Sequence, residues 1–213
     1  MAFLRVAWAA LLLSGLMSAA QHTADHSSSS KPHAHLNAPP DAGEIRDGVY
    51  RNPTFAFTYK LPFGWVERTE QMSQESSGPK SLLLLSAFER PPEAAGDTVN
   101  SAVLIAAESI ASYPGLKTAE DYFGPLTEIA TGKGFKVVKE PYEVELGAKR
   151  LVRSDFAKEL GQLTMHQASL VTRERGYLLS FTFIGSSEDE LEQLIEGLQF
   201  GSSPKVHATK PAH

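Results

Sequence analysis

The chain has 213 residues, 42% of them hydrophobic, a length that holds one sizeable core and requires no second domain. Its net charge of −5 and scattered basic residues disfavour nucleic acid as a partner, because neutralising phosphates takes clustered lysine and arginine. The absence of cysteine excludes a disulfide framework, a thiolate nucleophile, cysteine-ligated zinc or iron–sulfur sites and an acylated lipoprotein cysteine.

Residues 1–20 open with Arg5, continue with an apolar run and close on Ser18-Ala19-Ala20, the three regions of a secretory signal cut before Gln21. The apolar run is shorter than the roughly 20 residues a spanning helix needs, so no stable membrane span is expected after cleavage. Export to the periplasm or beyond is the expected localisation. Residues 21–44 are rich in His, Ser, Pro and Ala and poor in large apolar side chains, which predicts a disordered leader. Its His22, His26, His33 and His35 offer at most weak, unfixed metal contacts, since a metal site needs set geometry and supporting hydrogen bonds. The tail, residues 202–213, reads as disordered in the same way.

Order is expected from near Gly48, within a single domain spanning 45–201. Val49-Tyr50-Arg51 and residues 55–60 flank a turn at Asn52-Pro53-Thr54, and Phe55, Phe57 and Tyr59 share one face of the second strand. Pro62 and Gly64 then break the strand at Leu61-Pro62-Phe63-Gly64-Trp65, leaving Trp65 to pack. Residues 67–80 read as a polar surface loop. Residues 81–88 and 101–110 are nearly uniformly apolar, the pattern of strands buried on both faces, which implies a three-layer arrangement.

A helix is predicted over 118–131, opened by Thr118 with Asp121 three residues on and interrupted at Pro125. Strand structure returns at 135–139, before Pro141. Residues 142–184 then read as a continuous four-strand antiparallel meander, with turns at Gly147-Ala148, Glu159-Leu160-Gly161 and Arg173-Glu174-Arg175-Gly176. In its last strand Tyr177, Leu179, Phe181 and Phe183 alternate with Ser180 and Thr182. A final helix begins with Ser187 and Glu190 as a capping box, carries Leu191, Leu194, Ile195 and Leu198 on one face, and stops near Gly197.

Reactive constellations are scarce. There is no G-x-S-x-G elbow, no H-E-x-x-H and no EF-hand loop, and Gly132-Lys133-Gly134 lacks the rest of a phosphate-binding loop. Arg153 and Asp155 share a strand face that His166 on the next strand can approach, and an imidazole oriented by a carboxylate is half of a hydrolytic triad. Without a placed serine the trio reads first as a cross-strand polar cluster, with a periplasmic hydrolase using His166 and Asp155 as the alternative. Tyr50, Tyr59 and Trp65 form either an aromatic binding patch or, as period two favours, core. Glu188-Asp189-Glu190 is accounted for by the helix macrodipole. No residue is assigned as catalytic, cofactor-binding or metal-ligating.

Gly48-Val49-Tyr50 with Asn52, Phe55-Ala56-Phe57, the 61–65 break, and later Arg175-Gly176-Tyr177-Leu178-Leu179-Ser180-Phe181-Thr182-Phe183 before a terminal helix ending in Leu198-Gln199-Phe200 together resemble the PsbP/Mog1-like superfamily, which includes bacterial DUF1795 and DcrB-type exported proteins. The resemblance covers about residues 45–200. It implies an α+β fold, an antiparallel β-sheet flanked by helices as an α/β/α sandwich. It also implies a role in binding, assembly or accessory support instead of catalysis, with no functional residue carried over; a complete core without a catalytic constellation leads to the expectation of a non-enzymatic exported domain that binds an unknown protein or envelope component.

Overall fold

The computed structural model describes residues 40–75 and 81–201. The signal-like segment, most of the leader with its four histidines, residues 76–80 of the expected polar loop and the tail from 202 lie outside the described residues.

The elements in chain order are β1 (Glu44–Arg46), β2 (Val49–Asn52), β3 (Phe57–Lys60), β4 (Val66–Glu67), α1 (Thr69–Glu75), β5 (Ser81–Phe88), β6 (Ala102–Ser109), α2 (Phe123–Gly132), β7 (Lys136–Leu146), β8 (Lys149–Leu160), β9 (Leu163–Glu174), β10 (Tyr177–Gly185), α3 (Glu188–Glu196) and β11 (Leu198–Phe200). They form a seven-stranded antiparallel sheet in the order β4-β5-β6-β10-β9-β8-β7 and a four-stranded sheet in the order β1-β2-β3-β11. The expected meander is the run β7-β8-β9-β10. Its turns place Gly147, Gly161 and Gly176 at φ of +61°, +68° and +83°, where a β-carbon is disfavoured.

Period two decides what each face of the large sheet meets. Val103, Ile105 and Ala107 of β6, Leu170 of β9 and Leu179, Phe181 and Phe183 of β10 point to one side. There they join Tyr50, Phe57 and Tyr59 of the small sheet and Leu191, Leu194 and Ile195 of α3 in a single cluster. The opposite side of the same strands presents Ala102, Met165, Val171, Leu178 and Ile184, which α2 covers with Phe123, Leu126 and Ala130 and α1 with Met72. Burial on both faces is why the 81–88 and 101–110 segments lack polar alternation. The chain is therefore the expected α+β, three-layered fold, with one outer layer that is part helix and part second sheet.

The two cores are held differently. Rings dominate the first: Phe57 meets Phe181 edge-on at 5.3 Å and 83°, Phe181 meets Phe200 at 5.7 Å and 82°, and Tyr59 lies 6.1 Å from Phe183. Such edge-to-face pairs add to the burial term. The second core encloses a buried polar knot, in which Glu108 accepts hydrogen bonds from the hydroxyls of Tyr122 and Tyr113.

Several expectations are corrected. Residues 67–80 are not simply a loop, since β4 and α1 form there, tied down by the Ser86 amide donating to Thr69 Oγ1 at 2.9 Å and by packed Met72. Order does not begin at Gly48, because β1 pairs with β2 from Glu44 onward. Pro141 does not separate two strands: β7 runs through it with one register shift before it and a second across it, which an edge strand tolerates because one side needs no donor. The helix expected over 118–131, with a kink or a break into two pieces at Pro125, is in two pieces, but the break falls before Phe123. A 3-10 turn, Glu120–Tyr122, precedes α2, so Pro125 sits in the first turn of α2, where its missing N–H leaves no bond unmade. Thr118 and Asp121 cap as expected, with the Asp121 amide donating to Thr118 Oγ1 and the Thr118 amide to Asp121 Oδ2.

Candidate functional site

Two places gather side chains that the packing of the sheets does not use up. The first is where sequence reasoning looked for chemistry. Alternation puts Arg153 and Asp155 on one face of β8, and the register pairs Asp155 with Ala168 and Ala157 with His166, so His166 falls on that face one step along the sheet. Arg153, Asp155 and His166 do line one cavity, together with Lys139, Glu188 and Leu191, and its volume of about 10 Å³ is room for roughly one water.

The carboxylate of Asp155 is already committed. Its Oδ1 accepts from Arg153 Nε at 2.7 Å and its Oδ2 from the Tyr142 hydroxyl at 3.0 Å, with Lys139 Nζ 3.7 Å away. Arg153 Nη2 reaches over to Glu192 Oε1 on α3 at 2.6 Å. Burial pulls the guanidinium's pKa down, but its bonds to Glu192 and Asp155 more than reverse that and hold it above its usual value. Burial and the neighbouring Asp155 push the Tyr142 hydroxyl up to about 12. His166 makes no hydrogen bond or ion pair among the described residues, and neither serine nor threonine lines the cavity. The hydrolytic arrangement needs a carboxylate on the imidazole and a nucleophile beside it. Here an arginine holds the carboxylate, and the cluster acts as a strut between β8 and α3.

The second place is larger, an open groove of about 690 Å³ between the 61–65 loop and the C-terminal half of α3. Its construction follows from a few residues. Pro62 ends β3, Gly64 takes φ +83°, and the Leu61 amide donates to the Gly48 carbonyl at 2.9 Å, so the turn between is fixed with Phe63 at its apex. Phe63 is fully exposed, whereas Trp65 folds back half-buried against the first core. Tyr59, wholly buried, also lines the groove, and its hydroxyl has no hydrogen-bond partner among the described residues. The far wall is Gln193, Leu194, Glu196 and Gly197.

α3 is held firmly at both ends. Ser187 Oγ accepts from the Glu190 amide at 3.1 Å, and the Glu190 carboxylate in turn accepts from the Ser186 amide at 2.7 Å and from the Ser186 and Ser101 hydroxyls. The capping box thus reaches one residue further back than the usual pattern. At the other end the Gly197 carbonyl accepts from the Lys60 amide at 2.9 Å. A β-carbon there would stand 2.9 Å from the Lys60 carbonyl oxygen and 3.0 Å from Tyr59 Cε2. Gly197→Ala is therefore expected to cost about 1–3 kcal/mol by overpacking, read as a lowered urea midpoint, and an unchanged midpoint would show that the contact relaxes freely.

Glu190 also gives the fold a pH dependence. Partial burial would raise its pKa, but the hydrogen bonds from Ser101 and Ser186 outweigh this and hold it below the ordinary 4.5. A depressed folded-state value means that the contribution is complete above the unfolded value and is lost as pH falls through the folded one. In urea titrations, the advantage of wild type over Glu190→Gln should be constant above about pH 6 and shrink as the medium is acidified through the carboxylate range. A gap that persists undiminished at about pH 2 would contradict the assignment.

Tyr50 and Tyr59 are core residues and Trp65 is half-buried, so the three do not form a surface patch. The aromatic on display is Phe63, which sequence reasoning passed over. The available signal was an aromatic between proline and glycine, a turn apex that cannot fold back on its own strand. Among the described residues no group of three or more His, Asp or Glu side chains is placed to hold a metal ion, and no helix is long and apolar enough to cross a membrane.

No protein-family description and no curated protein matches the chain. Solved structures similar to it include the cyanobacterial PsbP (CyanoP) of Synechocystis sp. PCC 6803, at 14% identity and a TM-score of 0.48, covering 78% of this chain and 99% of that one. They also include LpqN of Mycobacterium tuberculosis, involved in cell envelope biogenesis, at 13% identity and a TM-score of 0.36 over 66% of this chain and 76% of that one. A protein of unknown function from Pseudomonas aeruginosa matches at 16% identity and a TM-score of 0.35 over 49% of this chain and 75% of that one. The antiparallel, helix-flanked fold that the sequence resemblance implied is the fold this chain has.

Proposed function

We propose that this chain is an exported, non-enzymatic binding or accessory module that docks a protein segment or envelope component in the groove beside the 61–65 loop. The observation that carries the reading is Phe63, a large apolar side chain held entirely in solvent on a constrained turn at the edge of a groove. An aromatic so placed contributes nothing to the core, while aromatic anchors dominate binding energy at interfaces. Export is read from the first twenty residues, and the non-enzymatic character from an Asp155 carboxylate engaged by Arg153 instead of His166.

The reading is tested by retention of envelope components on the immobilised full chain. Wild type and Leu163→Asp, altered at another exposed apolar residue, should retain the same component, and Phe63→Asp should lose it. Equal retention by all three would overturn the docking surface. Turnover of an extract component that His166→Ala abolishes would overturn the non-enzymatic reading. Because Phe63 is fully exposed in the single chain, Phe63→Asp should leave the free energy of unfolding, measured at high dilution where chains do not associate, unchanged to within about 0.5 kcal/mol.

A further inference from the structure

We infer that in the free protein a second copy of this chain closes the groove about a two-fold axis, each Phe63 seated in the recess of the other copy, an inference that rests on the groove being the docking surface. The argument is self-complementarity. A two-fold interface brings one patch against itself, so that patch has to carry both members of every contact. This one carries a knob and a hole side by side: Phe63 projects from the turn, and the recess beside it is lined by Leu61, Pro62 and Leu194 over the floor of Tyr59.

Charge is paired in the same way. Lys60 and Glu196 both line the groove and both are exposed, and neither has an ion-pair partner among the described residues. They sit beside the Lys60 amide to Gly197 carbonyl bond that joins β3 to the end of α3, so the two charges share one rim. Under a two-fold rotation Lys60 of one copy meets Glu196 of the other, twice per interface. A partner of a single charge sign would satisfy one of these groups and repel the other, whereas a second copy satisfies both. The other carboxylate of the groove, Glu190, is occupied by Ser101 and Ser186 and makes no demand on a partner.

Sedimentation equilibrium of the full chain decides the matter. A concentration-dependent monomer–dimer equilibrium is expected, with Phe63→Asp raising the dissociation constant about thirty-fold or more, as for a central aromatic anchor. Lys60→Glu and Glu196→Lys should each weaken the dimer, and the double exchange Lys60→Glu/Glu196→Lys should restore it, because it only reverses the two cross-axis pairs. A monomer at every concentration, a dimer indifferent to Phe63→Asp, an assembly larger than a dimer, or a double exchange that fails to recover would each overturn the inference. A monomeric chain that still loses its envelope component on Phe63→Asp would leave the proposed function standing and remove only the two-fold pairing.

Discussion

Phe181→Ala is expected to lower the free energy of unfolding by about 3–5 kcal/mol. Phe181 is fully buried in the middle of β10 and is a ring on which the two sheets meet, edge-on to Phe57 of β3 and to Phe200 of β11. Truncation leaves a cavity walled by both sheets, and neither sheet can move in to fill it without breaking its own ladder. It also removes two edge-to-face contacts, each contributing about 0.5–1.5 kcal/mol beyond burial. Urea unfolding reads the loss as a lowered midpoint at unchanged slope. A change below about 1 kcal/mol would mean that the small sheet is not part of the same core.

Arg153→Met is expected to cost about 3 kcal/mol, because it strands the Asp155 carboxylate, only 6% exposed, without its guanidinium. The loss should fall at the lower end of the range for broken buried pairs, since Lys139 and Tyr142 still reach the other carboxylate oxygen. The sharper part of the expectation is the double variant. Arg153→Met/Asp155→Leu removes the stranded charge along with its partner and should recover much of the stability, because burying an ion pair gains little over apolar packing. Urea midpoints of the two single variants and the double close a thermodynamic cycle. Strict additivity of the two losses would show that Arg153 is held by Glu192 alone and that Asp155 is not its partner.

What the sequence made legible follows from which forces are local. Alternation in β10 and the doubly apolar β5 and β6 report burial directly, so strands, faces and the three-layer order could be read. The capping of α3 by Ser187 and Glu190 depends on residues a turn apart, and it too was visible. α1 was not, since seven residues without an apolar stripe are held by tertiary contacts with β5 that leave no periodic trace. β1 and β11, three residues each, are too short for a period, and the pairing of β11 with β3 joins distant parts of the chain. The division of the strands into two sheets was hidden for that reason.

The site divides along the same line. Strand parity was enough to bring Arg153, Asp155 and His166 to one face. Which of two neighbours takes the carboxylate depends on side-chain reach, and the long arginine on the same strand took it. The groove was hidden because it lies between a loop and a helix more than a hundred residues apart, and because an apolar side chain such as Phe63 is expected inside.

The central claim, that the fold holds Phe63 out of its cores for binding, is tested most directly by a photoreactive phenylalanine derivative placed at position 63. Irradiated with envelope extract, the full chain should form a discrete adduct through position 63, and none when the same group stands at position 163. Labelling at position 163 equal to that at 63, or none at 63 under conditions in which the wild-type chain retains its component, would contradict it.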